Sequence, residues 1–156
     1  MLFDPVSLAT IGGALALIGG LIGSSIGIGI AGSAGAATLS DEPGQFRNVI
    51  ILASLPMTQT FYGLIVLIMV ITAVVPKIPV DGGAGAMVLG AGLITGAAEC
   101  FSAIYQGKIC ASGISLLPKT QGRILTSSIM LAVFVELLGV LGLVFAIMSL
   151  TMLGLM

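Results

Sequence analysis

The sequence has no histidine and no tryptophan, and only 7% of its 156 residues are charged. A soluble domain carries roughly a quarter charged residues, so an ordinary soluble fold is excluded. With no histidine and no C-x-x-C pair, the usual transition-metal frameworks are absent as well. The two cysteines, Cys100 and Cys110, fall on one expected helix about 15 Å apart along its axis. That is too far for a disulfide, and both read as packing residues. The net charge is −1, which points to neither a nucleic-acid partner nor a polybasic membrane anchor. No G-x-x-x-x-G-K-[ST] loop is present to hold a nucleotide, so the chain is not expected to be an enzyme by itself, and no cofactor is expected. The opening Met1-Leu2-Phe3-Asp4-Pro5 lacks the basic segment of a signal peptide, and the first apolar run is expected to be retained as a span.

What is present is hydrophobic: 58% of the residues, with a mean hydropathy of +1.26. Uncharged runs extend from Pro5 to Ser40 and from Asn48 to Pro76, and from Ile124 to Met156 Glu136 is the only charge. A fourth run, Gly82 to Pro118, is interrupted only by Glu99 and Lys108. Each exceeds the ~20 residues that cross the hydrocarbon core as a helix. The expectation is an all-α membrane protein of four transmembrane helices, near 6–39, 46–75, from 83 to just before Pro118, and from 121 almost to the end. The breakers are Ser40-Asp41-Glu42-Pro43-Gly44, then Pro76 and Pro79, then Pro118.

The two halves, 1–78 and 79–156, resemble each other as duplicated helical hairpins. Gly32 to Pro43 and Gly107 to Pro118 span the same interval, and each proline is followed by an arginine, Arg47 or Arg123. Nine glycines lie between Gly12 and Gly35 and eight between Gly82 and Gly113, whereas the second helix holds only Gly63. Small residues recur every fourth position at Gly19, Gly23, Gly27, Ala31 and Gly35, and again at Gly92/Gly96 and Ala103/Gly107/Ala111. Such faces let helix backbones approach closely in lipid. Two glycine-rich helices alternating with two bulky ones suit a curved inner layer wrapped by an outer one, a two-layered ring. Arg47, Lys108, Lys119 and Arg123 lie near the hairpin loops, against Lys77 near the opposite face. The positive-inside rule then places the loops in the cytoplasm and both termini on the other side.

Glu136 sits in the middle of the last apolar run. An ionised carboxylate there costs several kcal/mol, so it is expected to be neutralised, paired or functional. Other polar groups come to a similar depth. Pro56 should kink the second helix and disturb the carbonyls of the preceding turn. Thr58, Gln59 and Tyr62 follow on neighbouring positions of one face. Gln106 on the third helix lies within a few Å of Glu136 in depth at ~1.5 Å per residue. A proton needs only the carboxylate, whereas a dehydrated Na⁺ needs about five or six oxygens, in keeping with the oxygen preference of hard cations. The neutral oxygens therefore favour Na⁺.

Leu-Pro-x-Thr-Gln-x-x-Tyr at 55–62, Tyr-Gln-Gly-Lys at 105–108 and Phe-Val-Glu at 134–136 resemble the duplicated proteolipid (K/c) subunit of V-type rotary ATPases, closest to the sodium-translocating bacterial form. The resemblance covers essentially the whole chain. It implies Na⁺ ligands from the Leu55 carbonyl, Thr58, Gln59, Gln106 and Glu136, with Tyr62 holding the carboxylate. It also implies a ring of identical subunits in lipid, a static membrane subunit whose arginine displaces the ion, and a central-stalk subunit on the cytoplasmic loops. Gln59 then occupies in the first repeat the place of Glu136 in the second, so one carboxylate serves four helices. Fewer ions per turn means more free energy per ion, where each charge crossing ~100 mV requires about 2.3 kcal/mol. Two positions depart from the pattern. Leu137 stands where some sodium-binding relatives carry a hydroxyl, and Glu99 is read as a protonated packing residue, part of an access route, or a second site. Three other readings compete: a proton-carrying rotor subunit of the same machine, a small four-helix antiporter exchanging protons for a cation or drug, and a purely structural four-helix membrane protein. The low aromatic content, 5%, argues against a pocket for large apolar cations.

Overall fold

The computed structural model describes residues 4–80 and 83–156. Met1–Phe3, part of the opening segment, and Asp81 and Gly82, where the fourth apolar run begins, lie outside the described residues. Four helices account for nearly all the rest: α1 (Pro5–Asp41), α2 (Pro43–Lys77), α3 (Ala84–Thr120) and α4 (Leu125–Met152). Each is long and apolar enough to cross a membrane, with a mean hydropathy of 1.6 to 2.6 over its most apolar stretch. At ~1.5 Å per residue α1 and α3 reach about 55 Å, well beyond the ~30 Å hydrocarbon core. No strand occurs among the described residues.

Asp4 starts α1 as its N-cap: its carboxylate accepts from the Ser7 N–H at 2.8 Å and the Ser7 hydroxyl at 2.7 Å. Those bonds hold the Asp4 carboxyl below its ordinary value. The cap therefore stabilises the helix above the usual carboxylate pKa and is lost only as pH falls through the lowered one.

The most extensive contact in the molecule is between α1 and α3. Here backbone meets backbone: Gly12 faces Val88, Gly19 faces Gly96, Gly23 faces Cys100, and Gly27 faces Ala103 and Gly107. A Cβ at Gly23 would stand 2.5 Å from the Cys100 carbonyl oxygen. The small-residue stripe does not serve this contact alone, however. Gly35, its last member, lies against Val49 of α2. Each four-residue step turns ~40° past a full helical turn. From Gly19 to Gly35 the stripe therefore rotates by about 160°, from the α3 side towards α2. α4 packs chiefly on α3 and more lightly on α2.

α2 is not one regular helix. A 3₁₀ turn at Leu55–Met57 separates the helical stretches Phe46–Ser54 and Thr58–Met69, and a π turn follows at Val70–Val74. The first break sits on Pro56, as the missing N–H requires.

Several boundaries differ from the sequence reading: α1 runs to Asp41 rather than 39, and α2 spans Pro43–Lys77 rather than 46–75, with Pro76 inside its last turn. α3 does not stop before Pro118 but runs to Thr120 with the proline inside its last turn. The carbonyl that Pro118 cannot bond is that of Ile114, and Thr38 of α1 donates its hydroxyl there at 3.3 Å. α4 begins at Leu125 rather than 121. Gln121 and Gly122 take left-handed conformations, with φ of 52° and 80°, and end α3. A Cβ at Gly122 would lie 2.9 Å from the Asn48 side-chain nitrogen, so the two hairpin loops sit together at one end.

The core has two apolar clusters. One gathers Ala9, Ala16, Val66, Val70, Val88 and Leu150 towards the termini. The other gathers Ala31, Val49, Leu52, Cys110, Ile114 and Ala132 towards the loops. Between them lie the buried polar side chains Gln59, Thr95, Glu99, Ser102 and Gln106.

Candidate functional site

Glu136 projects from the middle of α4 at the edge of this polar band and is half-buried, while its neighbours Phe134 and Leu137 are exposed. The carboxylate thus stands at the boundary between the packed interior and the outer apolar face. Tyr62 of α2 donates its hydroxyl to Glu136 Oε1 at 3.0 Å. Gln106 of α3 donates Nε2–H to Glu136 Oε2 at 3.3 Å. The Gln106 Oε1 accepts in turn from Gln59 Nε2 at 2.9 Å. Gln59 Oε1 accepts from the Thr58 hydroxyl at 3.1 Å, and the same hydroxyl reaches the Leu55 carbonyl at 3.2 Å. All six residues singled out from the sequence therefore belong to one continuous network across α2, α3 and α4.

Local structure explains the convergence. The 3₁₀ turn around Pro56 presents the Leu55 carbonyl to both the N–H and the hydroxyl of Thr58. Helix resumes at Thr58, and its 3.6-residue period carries Tyr62 to the same side as Thr58 and Gln59. The Gln59 and Gln106 side chains are fully buried, a placement tolerable only because each amide is bonded.

One member was not foreseen. Ser102 accepts from Gln59 Nε2 at 3.0 Å and donates to the Val135 carbonyl at 2.9 Å, tying the network to α4 one residue before Glu136. Its signal was its spacing, four residues before Gln106 and hence on the same helix face. Glu99 lies outside the network: it is fully buried, and neither carboxyl oxygen has a hydrogen-bond partner among the described residues.

Among the described residues no group of three or more His, Cys, Asp or Glu side chains comes together as transition-metal and divalent sites usually need. A single carboxylate with neutral amide, hydroxyl and carbonyl oxygens carries one negative charge. That charge matches a monovalent cation or a proton, not a divalent ion, which usually draws several carboxylates.

Comparison with known proteins is consistent with these features. The chain matches the ATP synthase C-subunit family twice, over residues 11–70 and over 89–149. It is 35% identical over 144 residues to the V-type sodium ATPase subunit K of Enterococcus hirae, covering 92% of this chain and 87% of that one. It is 34% identical over 148 residues to the A-type ATP synthase subunit K of Methanocaldococcus jannaschii, covering 94% of this chain and 63% of the archaeal one.

Proposed function

The chain belongs to the ATP synthase C-subunit family, and from that premise we propose that Glu136 is the carboxylate on which it carries Na⁺ across the membrane. The protein is a multi-pass membrane component of a V/A-type rotary ATPase, an ion-translocating part of the rotor and not a catalytic one. The observation that carries the sodium reading is the network itself. Glu136 connects through Gln106 and Gln59 to the Thr58 hydroxyl and the Leu55 carbonyl, a set of neutral oxygens that a proton site does not need. The sodium ATPase to which the Enterococcus hirae relative belongs supports the same cargo.

In this reading the ligands are the Leu55 carbonyl, Thr58, Gln59, Gln106 and Glu136. Tyr62 and Gln106 supply the donors that hold the carboxylate once the cation has left. A glutamine amide turned end for end replaces its N–H with its oxygen, so Gln106 can face an ionised carboxylate or a cation beside it. The division at 78/79 into two hairpins is supported by the double family match, with the ion-binding carboxylate only in the second. The chain assembles as a homomeric ring whose cytoplasmic loops, around 40–46 and 118–121, meet a central-stalk subunit. A static membrane subunit presents an arginine to Glu136. The proton alternative keeps one feature in its favour, the apolar Leu137 beside the carboxylate.

Carbodiimide labelling tests the cargo. These reagents attack protonated carboxyls, so a carboxylate occupied by Na⁺ is shielded. Labelling of Glu136 in the intact complex is expected to slow with rising Na⁺ at fixed pH and ionic strength, and to slow as pH rises. K⁺ is the control, and equal protection by K⁺ and Na⁺ makes this a proton site. Gln59→Ala and Gln106→Ala are expected to weaken protection by Na⁺ more than they change the labelling rate without it.

Tyr62→Phe removes one hydrogen bond to the carboxylate, a contact worth ~1.5–3 kcal/mol when one partner is charged. Half-saturation of Na⁺ protection is expected to rise about tenfold or more, with the assembly intact. An unchanged midpoint would show that Tyr62 does not position Glu136.

A further inference from the structure

Glu99 occupies α3 seven residues before Gln106, about 10 Å further towards the termini. Two glycines of α4 seat its carboxyl. A Cβ at Gly139 would stand 2.7 Å from Glu99 Oε2, and one at Gly142 would stand 3.3 Å from Oε1. The side chain is 0% exposed and both oxygens lack a hydrogen-bond partner among the described residues.

The polar groups around those glycines have no proton to offer it. The Ser102 hydroxyl donates to the Val135 carbonyl at 2.9 Å, and its oxygen already accepts from Gln59. The Thr95 hydroxyl donates to the Ala91 carbonyl at 2.9 Å and reaches the Gly142 carbonyl at 3.2 Å. Each residue also places an oxygen beside one of the two glycines that seat Glu99, next to Gln59 Cγ at Gly139 and Ala98 Cβ at Gly142. Ser102 Oγ lies 3.2 Å from the Cβ position of Gly139, and the Thr95 carbonyl oxygen lies 3.8 Å from that of Gly142. A buried carboxyl without donors is neutral when protonated, and once ionised it needs a positive charge beside it. Oxygens of this kind are the donors a hard cation takes.

We propose that Glu99, together with Ser102 Oγ and the Thr95 carbonyl, forms a second site for a monovalent cation of the Na⁺ class, distinct from that at Glu136. Ser102 is common to both surroundings through its bond to Gln59, so filling one site shifts the hydrogen bonding of the other. Each chain then holds two cations, one at the outer edge of the polar band and one enclosed between α3 and α4.

Equilibrium binding of radioactive Na⁺ to the intact detergent-solubilised complex at alkaline pH tests this. The wild type is expected to saturate at two Na⁺ per chain, and Glu99→Gln and Glu136→Gln at one each. One Na⁺ per chain in the wild type, retained in Glu99→Gln and lost in Glu136→Gln, overturns the second site and leaves the Glu136 reading standing. One Na⁺ lost in Glu99→Gln and kept in Glu136→Gln upholds the Glu99 site and overturns sodium carriage at Glu136. A wild type that binds none overturns both. Should Glu99→Gln fail to assemble, Glu99→Asp keeps the charge but withdraws the carboxyl by one methylene. Its expected signature is a second Kd raised at least tenfold with the first changed far less, and two unchanged constants overturn the proposal.

Discussion

Glu136→Gln is expected to abolish ATP-driven Na⁺ transport in reconstituted complexes, by at least a hundredfold, while the complex still assembles. The substitution is isosteric: its one side-chain oxygen can accept from Tyr62, and Gln106, turned end for end, can accept from its amide nitrogen. What it removes is the charge, which no neighbour can replace: Gln59, Thr58 and Gln106 are neutral, and Glu99 is directed at Gly139 and Gly142. Assembly is expected to survive because the close-packed contacts joining the helices lie at glycines of α1, α3 and α4 and in two apolar clusters, none of which includes Glu136. Two readouts separate the possibilities. The size of the detergent-extracted complex reports assembly, and Na⁺ uptake into vesicles reports transport. Substantial uptake by the assembled variant would remove Glu136 from the transport path.

A comparably large effect, on folding instead of transport, is expected from Gly19→Val. A side chain there meets the Gly96 carbonyl of α3, and Gly92 makes the reciprocal contact with Gly12. Overpacking a core commonly costs ~1–3 kcal/mol. That range applies where a side chain can yield, whereas here the obstacle is backbone on both sides. The variant is expected to lose most of its membrane-inserted, assembled material. Gly29→Ala is the control, since nothing within the chain lies within 4 Å of the added Cβ, and this variant should retain normal thermal stability. If Gly19→Val accumulates and melts like wild type, the α1–α3 contact is not as close as described.

The four spans were legible because charge is so scarce: wherever Asp, Glu, Lys and Arg cluster, a helix ends. The residues around Glu136 were legible for a related reason. In an apolar helix a glutamine or threonine stands out, and ~1.5 Å per residue turns sequence position into depth. Ser102 did not stand out, because serine is common in such helices and usually bonds its own backbone, as Ser112 and Ser115 do here. Only the approach of α2 and α4 makes its hydroxyl a bridge. The end of α3 was misjudged at Pro118 for a similar reason. Proline leaves one carbonyl unbonded, and sequence spacing does not reveal that Thr38, seventy-six positions away, supplies the missing donor. The divided use of the glycine stripe depended on which neighbour each glycine meets, which is a property of the packed bundle.

The backbone contact between α1 and α3 also bears on how the protein transmits force. Where carbonyls rest on glycine α-carbons there are no rotamers to shift, so that pair of helices behaves as a stiff bar under torque. Compliance must then reside elsewhere. α2 is the place for it, with a 3₁₀ turn at Leu55–Met57 and a π turn at Val70–Val74 interrupting its regular hydrogen bonding. Three of the cation's proposed oxygens, on Leu55, Thr58 and Gln59, are carried at the first of those breaks. A tangential load on the outer face would therefore strain the cage around the ion before it bent the spine behind it, and mechanical strain would register first as a change in how tightly the ion is held.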